Sequence, residues 1–226
     1  DRRVSVGRLR MAVTALLAGA AVSGEACASS IAVNLDGPGV SGSLLLTYGT
    51  ASDGIYPNAY EITGISGTFS DSNNGLNIVT AIVDSLVPIT HAAPDATNLL
   101  APHDFSKFPV GSGLPPQTHG ALTYDNLLYP GGSPQTATDY SPHGGFLDIY
   151  GLMFSIDDGK VINFWSNGAG GNGIVDYGVA VANSSVGLDC VEGGVAAAIP
   201  EPGSLLLLAG GLLGILACRR HAVTTG

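Results

Sequence analysis

Residues 145–166 read GFLDIYGLMFSIDDGKVINFWS, and this stretch decides the fold class. Side chains in a strand alternate between the two faces of a sheet, and the apolar residues here follow that period of two. Asp157-Asp158-Gly159 has Asp-Gly at its centre, which is typical of a tight hairpin turn. We therefore predict a strand over 145–156, a turn, and a return strand over 160–166. One face of the first strand carries Phe146, Asp148, Tyr150, Leu152, Phe154 and Ile156, and in the return strand Val161, Asn163 and Trp165 alternate with Ile162 and Phe164.

Short apolar or alternating runs of the same kind occur along most of the central chain. Turn-forming residues such as Asp36-Gly37-Pro38-Gly39 and Asp53-Gly54 separate them. The further predicted strands are 31–35, 43–48, 60–70, 76–87, 121–129 and 174–182. Several short strands at this spacing predict an all-β protein, and we expect an antiparallel β-sandwich of jelly-roll or immunoglobulin-like type.

The charge balance excludes several classes of function. The chain has 226 residues with a formal net charge of -10, and only 12% of its residues are charged. Between residues 29 and 199, two lysines, Lys107 and Lys160, stand against fifteen acidic residues, so this body carries a charge of -13. Such acidity disfavours binding to nucleic acid or to an anionic membrane surface. Cys190 is the one cysteine of the body, which leaves no intramolecular disulfide or CxxC zinc site there.

The N-terminal segment predicts export. Four arginines at positions 2, 3, 8 and 10 precede the apolar run 11–22, and Ala26-Cys27-Ala28 follows with small residues in an A-x-A arrangement. This order is typical of a secretory signal peptide, here spanning 1–28 and cleaved by signal peptidase after Ala28. A buried amphipathic helix is the alternative, but the run has no polar face.

The C-terminal segment predicts a membrane helix. Residues 203–218 contain no charge, and Arg219 and Arg220 follow as a membrane stop. A helix of this length reaches about 24 Å, somewhat short of the roughly 30 Å hydrocarbon core, so it can insert where the bilayer thins. Basic residues prefer the cytoplasmic side, which places the body outside. The expected sandwich is therefore flanked by an N-terminal signal helix and a C-terminal transmembrane helix.

Three features near the C-terminus occur together in a fixed order. Pro200-Glu201-Pro202 is followed by Ser204, by the Leu/Gly/Ala-rich run 205–217, and by Arg219 and Arg220. This arrangement over 200–226 resembles the PEP-CTERM sorting signal of exported proteins in biofilm-forming Gram-negative bacteria. The resemblance implies transient membrane insertion, cleavage near the triplet by an exosortase-type membrane protease, and transfer of the body to the surface or the exopolysaccharide matrix. The alternative is a permanent single-span anchor in which the triplet is only a linker.

Candidate catalytic patterns in the body are weak. There is no G-x-S-x-G elbow, P-loop lysine motif or H-E-x-x-H. His91, His103, His119 and His143 match no metal spacing, and Asp71-Ser72-Asn73-Asn74-Gly75 is better explained as an Asn-Gly turn than as a calcium loop. Asp148 lies on an otherwise apolar face, so we expect it to be a hydrogen-bonded carboxylate at a sheet edge.

The stretch 91–144 is the best candidate binding surface, because long loops in compact domains are often functional. From these patterns we expect a non-enzymatic exported protein with no catalytic residue, no cofactor and no metal, and with exopolysaccharide as a further partner. The alternatives are a carbohydrate-binding module and a secreted carbohydrate-active hydrolase. A binding module predicts an exposed aromatic row among Tyr124, Tyr129, Tyr140, Tyr150 and Trp165, and a hydrolase predicts two carboxyl groups facing each other across a groove.

Overall fold

A computed structural model describes residues 28–89, 100–103, 122–137, 143–184 and 187–198. Within these ranges the only helical element is one 3-10 turn at Asn73–Gly75. The rest of the regular structure is strand: β1 Ser29–Gly37, β2 Val40–Ser52, β3 Tyr60–Asp71, β4 Ile78–Leu86, β5 Leu100–Pro102, β6 Leu122–Tyr124, β7 Leu127–Leu128, β8 Leu152–Ile156, β9 Val161–Ala169, β10 Val175–Ser184 and β11 Gly187–Ala198.

The main sheet closes on itself. Eight strands follow one another in the order β2-β1-β11-β10-β9-β8-β4-β3, each antiparallel to its neighbours, and β3 pairs back with β2 along most of its length. The strand β7 adds to β3 through Tyr60 and Glu61, and β5 and β6 form a separate parallel pair. Closure leaves the eight strands as a barrel without a free sheet edge.

The prediction of a β-sandwich is therefore wrong. A sandwich needs two sheets, whereas the described strands form one sheet in which β1 and β11 pair directly, with Asn34 opposite Ala198. The predicted strands stopped at residue 182, so the strand that completes the circle was missing. The two predicted flanking helices fall on segments outside the described residues, which themselves contain no α-helix. Among the described residues, no helix combines the length and apolarity needed to cross a membrane.

The predicted hairpin is confirmed in its turn and return strand. Gly159 donates its N–H to the carbonyl of Ile156 at 2.9 Å, and β8 pairs with β9 from Leu152 opposite Phe164 to Ser155 opposite Val161. The first strand is shorter than predicted, because residues 145–151 form a series of bends and β8 begins at Leu152. The predicted strand over 121–129 is likewise broken at residues 125 and 126, which separate β6 from β7.

Two large apolar clusters hold the fold together, and a third, smaller one consists of Ala59, Leu127 and Tyr129. The first fills the barrel interior, with side chains from all eight strands that include Val33, Leu44, Phe69, Val83, Phe154, Phe164, Val179 and Val195. The second covers the outside of β8, β9 and β10 and consists of Leu122, Tyr124, Ala137, Ile149, Met153, Val161, Trp165, Ala180 and Ala182. These three strands are thus buried on both faces over much of their length, which explains the consecutive apolar residues at 152–154 and 179–182.

Trp165 of the outer cluster lies directly on Gly178 of the neighbouring strand. A Cβ atom at position 178 would stand 2.2 Å from Cζ2 of the indole ring. We therefore expect Gly178→Ala to lower the free energy of unfolding by about 1–3 kcal/mol through overpacking, measured by urea denaturation. Gly49→Ala is the matched control, because a Cβ there meets nothing within 4 Å. Equal stability of the two variants would contradict this packing.

The strand directions place several loops at one end of the barrel. Because β1 and β11 are antiparallel neighbours, β11 runs towards the end of the barrel at which β1 begins at Ser29, and its last residue, Ala198, stands opposite Asn34 of β1. The loop between β2 and β3 and the bends before β8 also lie there, since Ser29 pairs with Tyr48 and β8 runs antiparallel to β4. We call this the terminal end; it carries the polar residues considered next.

Candidate functional site

Three aspartates converge at the terminal end: Asp53, Asp125 and Asp148, here called the carboxyl cluster. Asp125 is 1% exposed and Asp148 is 2% exposed, so both are buried. The three aspartates come from three separate loops: Asp53 follows β2, Asp125 lies between β6 and β7, and Asp148 precedes β8. Buried carboxyl groups require hydrogen bonds or charge partners, and the surrounding loops supply part of that need.

The break between β6 and β7 positions Asp125. Asp125 and Asn126 both donate their N–H groups to the carbonyl of Gly151, at 3.1 and 3.0 Å. Asn126 has a φ of 54°, its Oδ1 accepts from the N–H of Met153 at 2.9 Å, and its Nδ2 donates to the carbonyl of Val87 at 2.9 Å. Asp125 Oδ1 accepts from the N–H of Leu127 at 3.0 Å. The side chain is therefore held by an ordered turn that ties together three parts of the barrel.

Asp148 caps the bends that lead into β8. Its Oδ1 accepts from the N–H groups of Tyr150 at 2.9 Å and Gly151 at 3.0 Å, and its Oδ2 accepts from the hydroxyl of Tyr129 at 3.3 Å. Gly151 has a φ of 71°, and a Cβ there would stand 2.3 Å from the carbonyl oxygen of Phe164. Only glycine fits at this position, so the turn that positions Asp148 depends on it.

The loop after β2 brings Asp53 and Tyr56 to the same region. Asp53 Oδ1 accepts from the N–H groups of Ile55 and Tyr56, each at 2.8 Å, which is an Asx turn. The backbone closes the loop through Asp53 N–H to the carbonyl of Ala59 at 2.8 Å. The ring of Tyr56 then meets the ring of Tyr129 edge-on, with centroids 6.2 Å apart.

The environment favours the protonated form of Asp125. Burial raises its pKa well above the usual range, the charge of Asp148 raises it further, and the hydrogen bond from Leu127 offsets part of this. Its Oδ2 has no hydrogen-bond partner among the described residues as long as the group is ionised, yet the carboxyl group of Asp148 is within hydrogen-bonding reach. In its protonated form Asp125 can donate a hydrogen bond to the carboxyl group of Asp148.

The aspartates also raise the pKa values of the neighbouring tyrosines, Tyr56 and Tyr129. Burial raises the pKa of Tyr56 above its usual value, and the charges of Asp148, Asp125 and Asp53 add to the effect. Burial also raises the pKa of Tyr129, with Asp148 and Asp125 contributing next. Both tyrosines therefore stay neutral and can donate their hydroxyl protons throughout the physiological pH range.

A cavity opens beside the carboxyl cluster. It has a volume of ≈ 310 Å³ and is lined by Asp53, Ile55, Tyr56, His103, Leu127 and Tyr150. Leu127 is the residue whose N–H binds Asp125, so the buried carboxyl pair lies behind this wall. His103 and Tyr150 also line the cavity, with their ring centroids 6.3 Å apart. The volume falls at the lower limit of small-molecule sites.

A larger groove of ≈ 650 Å³ lies on another part of the surface, along the loop 170–174 and the end of β11. Its walls are mostly glycine and aliphatic residues, and its one carboxylate, Asp176, already accepts the N–H of Gly194 at 2.8 Å. We therefore regard the smaller cavity, where several polar groups converge, as the candidate site.

Asp148 is hydrogen-bonded as predicted, but it lies in the bends before β8 and not on a strand face. The predicted aromatic row does not form among the described residues: Tyr124, Tyr129 and Trp165 are at most 1% exposed, and only Tyr150 is partly exposed. Tyr140 lies outside the described residues. The hydrolase prediction of two carboxyl groups facing across a groove is not met by Asp125 and Asp148, which are in contact and buried, whereas glycosidase carboxyl groups stand about 5 to 9.5 Å apart.

The histidines of the stretch 91–144 do not form a cluster in the described part of the chain. His103 lines the cavity and His143 lies near β9, where its carbonyl accepts the N–H of Ala169 at 2.9 Å. His91 and His119 lie outside the described residues. In the ranges that the structure describes, no group of three or more His, Cys, Asp or Glu residues has the geometry to hold a metal ion. The loop 71–75 forms the 3-10 turn, in which Asp71 Oδ1 accepts the N–H of Asn73 at 2.9 Å.

The predicted sorting residues begin where the barrel ends. The last strand, β11, stops at Ala198, two residues before Pro200. A family model described as the PEP-CTERM protein-sorting motif matches residues 198–220. The chain carries a PEP-CTERM sorting motif. The match includes the positions of Pro200, Glu201, Pro202, Ser204, Arg219 and Arg220, all of which lie outside the described residues.

The PEP-CTERM motif implies export, processing by an exosortase-type enzyme, and a surface or extracellular location after processing. Signal cleavage at Ala26 and Ala28 stays a prediction; Ala28 is the first described residue and immediately precedes β1. No curated protein and no solved structure matches the chain.

Sequence reasoning missed Asp53, Tyr56 and Asp125 as members of the site. Asp53-Gly54 was recognised only as a turn, and a turn pattern does not reveal what its side chains contact. Asp125 fell in the predicted strand 121–129, within the candidate binding stretch 91–144, and was not singled out there. The one available signal was the presence of aspartates in turns between apolar strands, and this signal is common in β proteins.

Proposed function

We propose that the barrel is a non-enzymatic module that the sorting motif delivers to the cell surface or to an extracellular polysaccharide matrix. The observation that carries the proposal is the PEP-CTERM motif at residues 198–220, directly after the last strand. The motif makes the chain an exported substrate of an exosortase-type enzyme. The absence of catalytic activity and the association with exopolysaccharide are the finer parts of the proposal.

The position of the strands supports this role. The barrel occupies Ser29 to Ala198, so the predicted signal cleavage after Ala28 and a cut near Pro200 both fall outside every strand. Removal of the two end segments would therefore leave all eight ladders of the closed sheet intact, and the processed body keeps its core.

The chemistry of the body supports a binding or structural role over catalysis. Its most unusual ionisable groups, Asp125 and Asp148, are buried and hydrogen-bonded to backbone N–H groups of their own turns. Hydrogen bonds of this kind hold the loops that carry Asp125 and Asp148 in place. A carboxyl pair that acts on a substrate must reach it, and these two lie behind the cavity wall.

We expect Glu201→Ala to block processing, because this residue is the charged centre of the Pro-Glu-Pro triplet. In the native host, the variant would stay cell-associated and keep the residues beyond the triplet, whereas the unaltered protein would be shortened. Mass spectrometry of both termini, together with cell fractionation, measures this. Glu61→Ala, at an exposed position on β3, is the matched control and should be processed normally. Unchanged size and location of the Glu201→Ala protein would refute the sorting function.

The finer part of the proposal has a separate test. The processed protein should co-sediment with exopolysaccharide isolated from the same host and should release no reducing sugar from it. Binding without hydrolysis supports a matrix protein. Hydrolysis would contradict the non-enzymatic role, and failure to co-sediment would contradict the association with polysaccharide.

A further inference from the structure

The cavity at the terminal end combines apolar walls, aromatic rings and negative charge. Ile55 and Leu127 supply aliphatic surface, Tyr56 and Tyr150 supply phenol rings, and Asp53 supplies a carboxylate. Asp53 uses its Oδ1 atom for two backbone N–H groups, so this acid is held in place at the wall. A carboxylate and aromatic rings that line the same cavity are a combination that attracts ammonium groups.

No lysine or arginine side chain stands beside the cavity within the described ranges, and His103 is the one basic residue in its lining. Lys160 is the one lysine of the described ranges, and it pairs with Asp158 in the hairpin turn at the opposite end of the barrel. Three carboxyl groups, those of Asp53, Asp125 and Asp148, stand at or near this cavity. Asp125 Oδ2, which is fully buried, has no hydrogen-bond partner among the described residues while ionised.

We propose that this cavity binds a small organic ammonium cation, with the cationic head beside Asp53 and between the rings of Tyr56 and Tyr150. The volume of ≈ 310 Å³ accommodates a compact head group with a short chain. The inference goes beyond export and display, and it does not depend on them.

Two other ligand classes fit the cavity less well. A metal ion needs several ligands in close geometry, and the described residues contain no such group. A neutral sugar needs many hydrogen-bonding partners, whereas most of this cavity wall is hydrocarbon or ring surface. An alkylammonium ion matches both the apolar surface and the charge.

The test compares choline with its neutral isostere 3,3-dimethylbutan-1-ol on the full-length protein. Both are titrated at constant ionic strength in a nonionic detergent, with binding followed by ligand-observed NMR. We expect choline to bind at least about fivefold more tightly, because a cation–π contact contributes ~1 kcal/mol. Glucose serves as the neutral polyhydroxyl probe and should not bind in the cavity.

Two substitutions assign the binding to this cavity. Asp53→Asn keeps the Oδ1 acceptor for Ile55 and Tyr56 but removes the charge, and Tyr150→Leu removes a ring; each should weaken choline binding at least about threefold. Asp36→Asn, an exposed position at the opposite end of the barrel, is the charge-matched control and should bind choline normally. Equal binding of choline and the neutral alcohol, preference for glucose, or an equal loss in Asp36→Asn and Asp53→Asn would each overturn the proposal. The comparison of the two ligands on the unaltered protein stands even if a variant fails to fold.

Discussion

Trp165→Ala should lower the free energy of unfolding by about 3–5 kcal/mol, the cost of removing a fully buried aromatic ring. Trp165, a residue of β9, is 1% exposed. It belongs to the outer cluster, which also contains Tyr124. Its neighbour Gly178 has no side chain that could move into the space left by the indole. The loss also removes the hydrogen bond from Nε1 to Asn167 Oδ1 at 2.9 Å.

Urea denaturation of the full chain measures this effect as a shift of the midpoint at constant slope. Val79→Ala is the control, because Val79 is 74% exposed and its truncation should change stability by less than about 0.5 kcal/mol. A cost below about 1 kcal/mol for Trp165→Ala would mean that the segment around Leu122 and Tyr124 does not cover the barrel wall.

The hairpin turn and the alternation in β9 could be predicted because both depend on residues that are close in sequence. The turn at Asp157-Asp158-Gly159 and the alternation in β9 follow from Asp-Gly turn chemistry and a period of two, and both are confirmed. Ile162 and Phe164 point into the barrel, while Val161 and Trp165 belong to the outer cluster. The pattern could not show that a second apolar layer covers this outer face.

The closure of the sheet could not be predicted from the same patterns. The strand that closes it, β11, has the sequence GLDCVEGGVAAA, in which glycine and alanine hide the alternation of large apolar residues. Its pairing with β1 joins residues that are more than 160 positions apart, such as Asn34 and Ala198. Without that strand the remaining runs fit a sandwich equally well, which is why the predicted architecture was wrong while the all-β content was right.

The candidate site shows the same division between local and distant information. The sequence marked Asp148 because a carboxyl group interrupts an apolar run, and its need for partners was predicted correctly. Asp125 and Asp53 reach the site through turns whose positions depend on the closed barrel. The sequence therefore identified one acid of the cluster and gave no sign that three would converge.

Asp125→Asn should raise the stability of the protein at neutral pH. The amide keeps Oδ1 as an acceptor for the N–H of Leu127, and its Nδ2 can donate to Asp148 as the protonated acid does. Asparagine thus reproduces the protonated form at every pH, without the cost of ionising a buried carboxyl group. Asp125→Ala keeps neither hydrogen bond and should be less stable than Asp125→Asn throughout the pH range.

The pH dependence of the unfolding free energy tests the role of Asp125 more directly than stability at a single pH. Because the pKa of Asp125 is raised in the folded state, that state binds the proton more tightly than the unfolded chain. The contribution is complete below about pH 4, the ordinary aspartate pKa, and is lost as the pH rises towards the raised value, with a slope of at most about 1.4 kcal/mol per pH unit. The neighbouring Tyr56 and Tyr129 stay neutral in this window because their pKa values are also raised. The unfolding free energy of Asp125→Asn minus that of the unaltered protein should therefore grow from pH 4 upward. If the two curves of unfolding free energy against pH run parallel, Asp125 ionises in the folded protein at no extra cost, and the prediction is wrong.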